Sequence, residues 1–231
     1  DSNKIIFEGV GKSKNDIETA LTNRIRQINV ESIEEISLIN NLANSLNTIA
    51  KIGIRINPNI EAKTHDKIST GRKTDKFGIN FKNLYDTINI IHNSKNIKVV
   101  GLSCHVGSQI FSNDIYEKAF KKMKNSLQLF NNNKLIIDHL DLGGGMGYDN
   151  SRDYTFDLKN FSKLVDKYFE NEKLELSFEP GRYLVAESGT LITKVLMTKK
   201  SENINFVIVD AGINTFIRTA LYGAVHNIIP I

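Results

Sequence analysis

The chain has 231 residues, 40% hydrophobic and 24% charged, with a net charge of +4 and a pI near 9.0. That is enough apolar content for a large core, and the lysines are scattered through helical patterns with no dense basic tract, which argues against a nucleic-acid reader. The single cysteine, Cys104, excludes an internal disulfide and a multi-cysteine zinc site; no apolar run nears the roughly 20 residues that cross a bilayer, and a cytoplasmic location is expected.

Residues 5–7 (IIF) are the first strand candidate. Ser13 then offers an N-cap to a helix with Ile17, Ala20 and Leu21 on one face. Gln27–Val30 reads as the second strand. Ser32 and Glu35 make a capping box, in which side chains satisfy orphan helix N–H groups. The helix that follows carries Ile33, Ile36, Ile39, Leu42, Ala43 and Leu46 at helical spacing. Ile52, Ile54 and Ile56 alternate along a third strand. Residues 58–80 form a polar loop without period, and a loop of that length in a compact domain is usually functional or disordered. Beyond it come a helix marked by Phe81, Leu84, Ile88 and Ile91, a strand over 97–104, and a helix over 114–130. A strand over 136–142, a helix over 157–169 and a strand over 174–179 complete the series.

Six strand–helix units with short connections imply a parallel α/β sheet with helical crossovers. An open doubly wound sheet and a (β/α)8 barrel both fit, although a complete barrel takes roughly 250 residues. After residue 189 the pattern changes. Residues 190–199 and 205–210 read as strands with no good helix between them. The expected division is 1–189 for the α/β part and 190–231 for the start of an antiparallel β-domain. Asp1 at the start and Pro230-Ile231 after apolar residues at the end read as cuts through a longer fold.

Four polar clusters fall at strand ends, where parallel α/β folds place their chemistry. In His105-Val106-Gly107-Ser108-Gln109 a histidine can stack, act as a base or bind metal, and Ser108 offers a hydroxyl to a phosphate. In Asp141-Leu142-Gly143-Gly144-Gly145 three adjacent glycines expose backbone N–H groups, as an anion nest does. In Glu179-Pro180-Gly181-Arg182 a carboxylate at a strand mouth precedes a guanidinium fork. Val209-Asp210-Ala211-Gly212 is followed by Arg218 and Tyr222, four apart and on one face if helical. A metal reading of His105, His139, Asp141 and Glu179 leaves the three glycines without a role, and no metal is assigned.

In this order the motifs resemble the group III pyridoxal-phosphate decarboxylases, which share the alanine racemase-like barrel, and within them the diaminopimelate decarboxylases. Residues 5–12 (IIFEGVGK) and 62–78 (AKTHDKISTGRKTDKFG) extend the likeness to nearly the whole chain. The resemblance implies a partial TIM-like barrel with the start of a C-terminal β-domain, and pyridoxal 5'-phosphate as cofactor. It implies that His105 stacks on the pyridine ring, that Ser108 and Gly143, Gly144 and Gly145 hold the phosphate together with Gly181 and Arg182, and that Glu179 faces the ring nitrogen. Arg182, Arg218 and Tyr222 would bind substrate. Ornithine-type relatives place an aspartate after the tyrosine, where this chain has Gly223; with Arg218 nearby, a distal carboxylate fits better than a distal ammonium. The implied reaction is decarboxylation of meso-2,6-diaminopimelate to L-lysine, the last step of lysine formation, in a homodimer. Ornithine or arginine decarboxylation and a non-catalytic relative are the alternatives. The family's Schiff-base lysine sits near the end of the first barrel strand. It has no match here, since Lys4 and Lys12 flank what resembles the third strand. The late cysteine and tyrosine of the β-domain have no match either, so the chain is expected to be a segment truncated at both ends and inactive alone.

Overall fold

The computed structural model describes residues 1–60, 76–149 and 155–231. Six parallel strands, β1 (Ile6–Phe7), β2 (Gln27–Val30), β3 (Ala50–Asn57), β5 (Ile97–Ser103), β6 (His139–Gly144) and β7 (Glu175–Glu179), pair in chain order. A short β4 (Ile79–Asn80) adds to the end of β3. The crossovers are α1 (Lys14–Thr22), α2 (Ile33–Ser45), α3 (Leu84–His92), α4 (Asn113–Asn132) and α5 (Leu158–Phe169). This is the α/β architecture of a partial TIM-like barrel. The polar loop expected over 58–80, and with it most of residues 62–78, lies largely outside the described residues.

The strands show a division by parity that explains the curvature. Ile28, Val30, Ile52, Ile54, Ile56, Leu102, Leu140 and Leu142 are buried on one face, against the helices. Under α4 and α5 that core includes Tyr116, Phe120, Phe156, Phe161 and Phe169, with rings 5.1–6.3 Å apart edge to face or tilted. The other face is polar: Gln27, Asn29, Glu31, Arg55, Ser103, His139 and Asp141 are all buried. These side chains bond across strands that are not neighbours. His139 Nδ1 on β6 lies 3.1 Å from Gln27 Oε1 on β2, and Arg26 beside β2 makes a two-pronged bond to Glu175 on β7. A flat sheet would hold those groups several strand spacings apart, each about 4.8 Å. The sheet is therefore curled with its polar face inward. Gly53 and Gly101 make the room: a Cβ on Gly53 would lie 2.2 Å from Asn29 Oδ1, and one on Gly101 2.6 Å from Gln27 Oε1.

Three expectations shift in detail. The full capping box belongs to Ser13 with Asp16. Ser32 does accept the Glu35 N–H at 3.1 Å, but the Glu35 carboxylate turns to the Glu31 N–H at 2.6 Å and to Lys12 instead of closing a box. The strand expected over 136–142 is β6, moved to 139–144. The apolar run 135–137 suggested an earlier start, but Ile136 is exposed and the ladder begins where His139 pairs with Gly101. It continues through Gly143 and Gly144, since glycine keeps its backbone groups in the ladder opposite Glu179. Third, the strands expected over 190–199 and 205–210 are an antiparallel pair, β8 (Val195–Ser201) and β9 (Ile204–Val209), forming a separate two-stranded sheet. Short helices α6 (Arg182–Val185) and α7 (Arg218–Tyr222) flank it in the chain. Among the described residues no helix is long and apolar enough to cross a membrane.

Candidate active site

The site lies at the carboxyl ends of β5, β6 and β7. The loop after β5 and the glycine turn of β6 run side by side: Ile110 N–H donates to Gly145 O, and Gly147 N–H donates to Ile110 O, both at 2.9 Å. Gln109, at φ +61°, clamps the Tyr148 backbone at both ends, donating to its O at 2.8 Å and accepting from its N–H at 3.0 Å. These bonds bring the Ser108 loop against Gly143, Gly144 and Gly145.

The three glycines are demanded by their surroundings. Gly143 and Gly145 have φ of +70° and +88°, the left-handed region that glycine enters without strain. A Cβ on Gly143 would lie 2.3 Å from Cys104 O, one on Gly144 1.9 Å from Glu179 O, and one on Gly145 2.0 Å from Gly107 O. The turn is thus packed against the His105 loop on one side and the end of β7 on the other. Gly144 N–H donates to His105 Nδ1 at 3.2 Å, and Glu179 Oε2 lies 3.4 Å from the same nitrogen. Tyr116, buried, braces the turn from the helix side by donating to Gly144 O at 3.1 Å.

Glu179 is 36% exposed at its side chain, on the open side of the polar face. Burial acts to raise its pKa, but the contacts with His105 and Glu8 and the charge of Arg55 outweigh it and hold the carboxyl below its ordinary range. Asp141, nearby on β6, is buried; that burial and then the Glu179 charge push it up to about 6, against the Gly143 N–H it accepts at 2.8 Å. His139, by contrast, is held away from this group, with Nε2 2.6 Å from Ser177 Oγ and Nδ1 on Gln27. It belongs to the framework beneath the site.

The remaining expected residues form a second group. Arg182 opens α6, three residues after Glu179, and Arg218 lies over the Tyr222 ring at 5.4 Å. Burial and then the Arg218 charge lower the proton affinity of Arg182. Gly181 caps α6, and a Cβ there would meet nothing within 4 Å, so its packing does not demand glycine. Lys12 is engaged elsewhere, its Nζ bonded to Gly9 O at 2.6 Å and Glu35 Oε1 at 2.9 Å. Three residues have no role in the motif reading: Glu8, although it lies within the quoted residues 5–12, and Glu31 and Arg55. Arg55 donates to Glu31 Oε1 at 2.7 Å, and Glu31 Oε2 accepts the Gly78 N–H at 2.7 Å. Their signal was available as polar residues at alternate positions of otherwise apolar strands.

A family model described as "Pyridoxal-dependent decarboxylase, pyridoxal binding domain" matches residues 1–186. The chain belongs to that family. Among curated members, the diaminopimelate decarboxylase of Neisseria meningitidis serogroup B is 39% identical over 228 residues, covering 99% of this chain and 55% of the relative. That of Helicobacter pylori strain J99 is 41% identical over 225 residues, covering 97% and 56%. The crystal structure of Helicobacter pylori diaminopimelate decarboxylase complexed with L-lysine superposes with a TM-score of 0.93 at 40% identity, over 98% of this chain and 57% of that one. The chain thus spans about half the length of the family members it matches. Pyridoxal phosphate is the cofactor of this family, and two observations show that the present residues fit it. The glycine turn carries no side chain and lies beside the Ser108 loop, which lets a phosphate approach its backbone closely. Ser103 Oγ, paired in register with Arg55 and Asp141 on the polar face, is buried without a hydrogen-bond partner among the described residues.

Proposed function

We propose that this chain is the pyridoxal-phosphate-binding part of an enzyme that decarboxylates meso-2,6-diaminopimelate to L-lysine. The observation that carries the reading is the meeting of His105, Glu179 and the closed glycine turn within hydrogen-bond range of one another. When bound, pyridoxal phosphate supplies an electron sink for the pair left behind as CO2 departs. The glycine turn Gly143, Gly144 and Gly145, whose first two N–H groups are engaged by Asp141 and His105, would hold the phosphate through Gly145 and the Ser108 hydroxyl, and Gly181 and Arg182 would lie beside them. The His105 ring would cover one face of the pyridine. Glu179, an anion held below its ordinary range, would keep the ring nitrogen protonated.

Substrate choice rests on the second group. The guanidinium groups of Arg182 and Arg218, with Tyr222, concentrate positive charge that suits a distal carboxylate and is hostile to a distal ammonium. Residues 1–189 are assigned to the barrel and 190–231 to the start of a β-domain. The working form is a homodimer in the cytoplasm. The full-length protein, supplied with pyridoxal phosphate, is expected to release one CO2 and one lysine per meso-diaminopimelate and to leave ornithine and arginine untouched. Turnover of ornithine or arginine in preference to diaminopimelate would overturn the substrate assignment; no binding of pyridoxal phosphate would overturn the reading whole.

A further inference from the structure

The residue after β1, Glu8, carries a third carboxyl into the group formed by Asp141 and Glu179. One carboxylate oxygen from each of the three lies within 4.8 Å of the others. Carboxylates so close cannot all stay ionised, and the proton settles on the one with the weakest support for a negative charge. The three are supported differently. Asp141 accepts the Gly143 N–H, and Glu179 faces His105. Glu8 Oε1 accepts from the Asn29 side-chain amide, and the Glu179 carboxylate lies beside it. The nearby cation from β3, Arg55, is committed to Glu31. The Cys104 thiol, also within reach, is kept protonated by burial.

We propose that Glu8 is a positioning residue for Glu179: protonated, it donates its carboxyl hydrogen to Glu179 while Asn29 holds its other oxygen, and the two share one negative charge. This rests on the reading of Glu179 as the group facing the pyridine nitrogen. Burial, and then the Glu179 charge, push the Glu8 carboxyl from 4.5 up to about 7, which agrees with this sharing. Below that pH a lone pair of Glu179 is occupied by the Glu8 hydrogen, which weakens its pull on the ring nitrogen. Above it the proton leaves, the site gains a second negative charge, and the ring nitrogen holds its own proton more firmly. Asp141, Arg55 and His105 face the same pair, so the titration belongs to the group and its midpoint is set by all of them.

The test uses the full-length protein with carboxyl-13C glutamate. Without cofactor, one glutamate is expected to titrate near 7; that signal vanishes in Glu8→Gln and moves toward the ordinary glutamate range in Glu179→Gln. Glu8→Gln keeps both hydrogen bonds, because an amide can donate to Glu179 and accept from Asn29, and a wild-type melting temperature confirms its fold. With pyridoxal phosphate bound, the wild-type ring absorbance is expected to change between about pH 6 and about pH 8, and that of Glu8→Gln to stay constant. Every glutamate titrating in the ordinary range overturns the shared proton. A ring absorbance profile unchanged by Glu8→Gln overturns its action on the cofactor. If pyridoxal phosphate fails to bind while the titration near 7 persists, the shared proton stands and the assignment toward the ring falls.

Discussion

Replacing Arg55 by methionine tests the polar interior at its most heavily charged point. Arg55 and Glu31 are 8% and 7% exposed, with Nη1 2.7 Å from Oε1. The guanidinium also lies 5.0 Å from the Phe77 ring centre, and the second Glu31 oxygen takes the Gly78 N–H. Methionine fills much of the arginine stem's volume but leaves Glu31 buried with a backbone amide in place of a full counter-charge. Breaking a buried pair from one side costs about 3–5 kcal/mol, because the orphaned charge keeps its desolvation penalty. Removing both charges, in Arg55→Met with Glu31→Met, is expected to cost less than about 2 kcal/mol, since apolar side chains replace the pair and only the Gly78 N–H loses its acceptor. Urea unfolding of the full-length protein, followed by far-ultraviolet circular dichroism, measures the wild type, both single variants and the double variant. The expected coupling is at least about 2 kcal/mol. Single variants costing under about 1 kcal/mol, or a double variant equal to the sum of the singles, would show that the pair is not a buried, mutually dependent one. The same substitution reaches the site: Arg55 lowers the proton affinity of both Glu8 and Asp141, so in Arg55→Met both midpoints should rise, Glu8 from about 7 and Asp141 from about 6.

Gly144→Ala places a methyl 1.9 Å from the Glu179 carbonyl oxygen, where ordinary contact begins near 3.4 Å. Strands β6 and β7 must part by more than about 1 Å, with an expected loss of about 2–3 kcal/mol and of pyridoxal phosphate binding. A thermal melt and a cofactor titration check both, and a variant that binds as the wild type does would remove the glycine cradle from the argument. Cys104 is 3% exposed and its thiol is pushed up by burial, so the folded protein should react with iodoacetamide at least about 100-fold more slowly than free cysteine at the same pH, and at the ordinary rate in urea. Fast labelling of the folded protein would show that the strand end carrying Cys104 opens readily.

The helices and the outer face of the sheet were legible because their signal is local. Ile36, Ile39 and Leu42 repeat at helical spacing, and Ile52, Ile54 and Ile56 at strand spacing. The start of β6 was less legible. Leu135, Ile136 and Ile137 have strand composition, but pairing begins only where β5 supplies a partner, and that depends on how far α4 carries the chain before it returns. The glycine turn and the His105 loop could be read as neighbours only through the likeness to a family. Nothing in the spacing between Gly107 and Gly145 says that a Cβ on the latter would lie 2.0 Å from the carbonyl of the former.

The inner face was the largest gap, and its physical cause is specific. A buried parallel strand is expected to be apolar on both sides. Gln27, Asn29 and Glu31 break that expectation on one side of β2, yet an alternating polar pattern equally describes a strand with one face in water. What separates the two cases is whether partners exist across the curl. Gln27 finds His139, Asn29 finds Glu8, and Glu31 finds Arg55, on β6, at the end of β1 and on β3. None of those pairs is closer than 21 positions in the chain. Polar groups in such an interior must be satisfied nearly all at once, because each orphan costs more than a made bond returns. That requirement ties the framework to the site: Asn29 is at once a link in the Gln27 chain and the donor that orients Glu8 toward Glu179. Replacing it is expected to disturb the charge on Glu179, the group proposed to face the cofactor, through a residue bonded to Gln27 and Glu8.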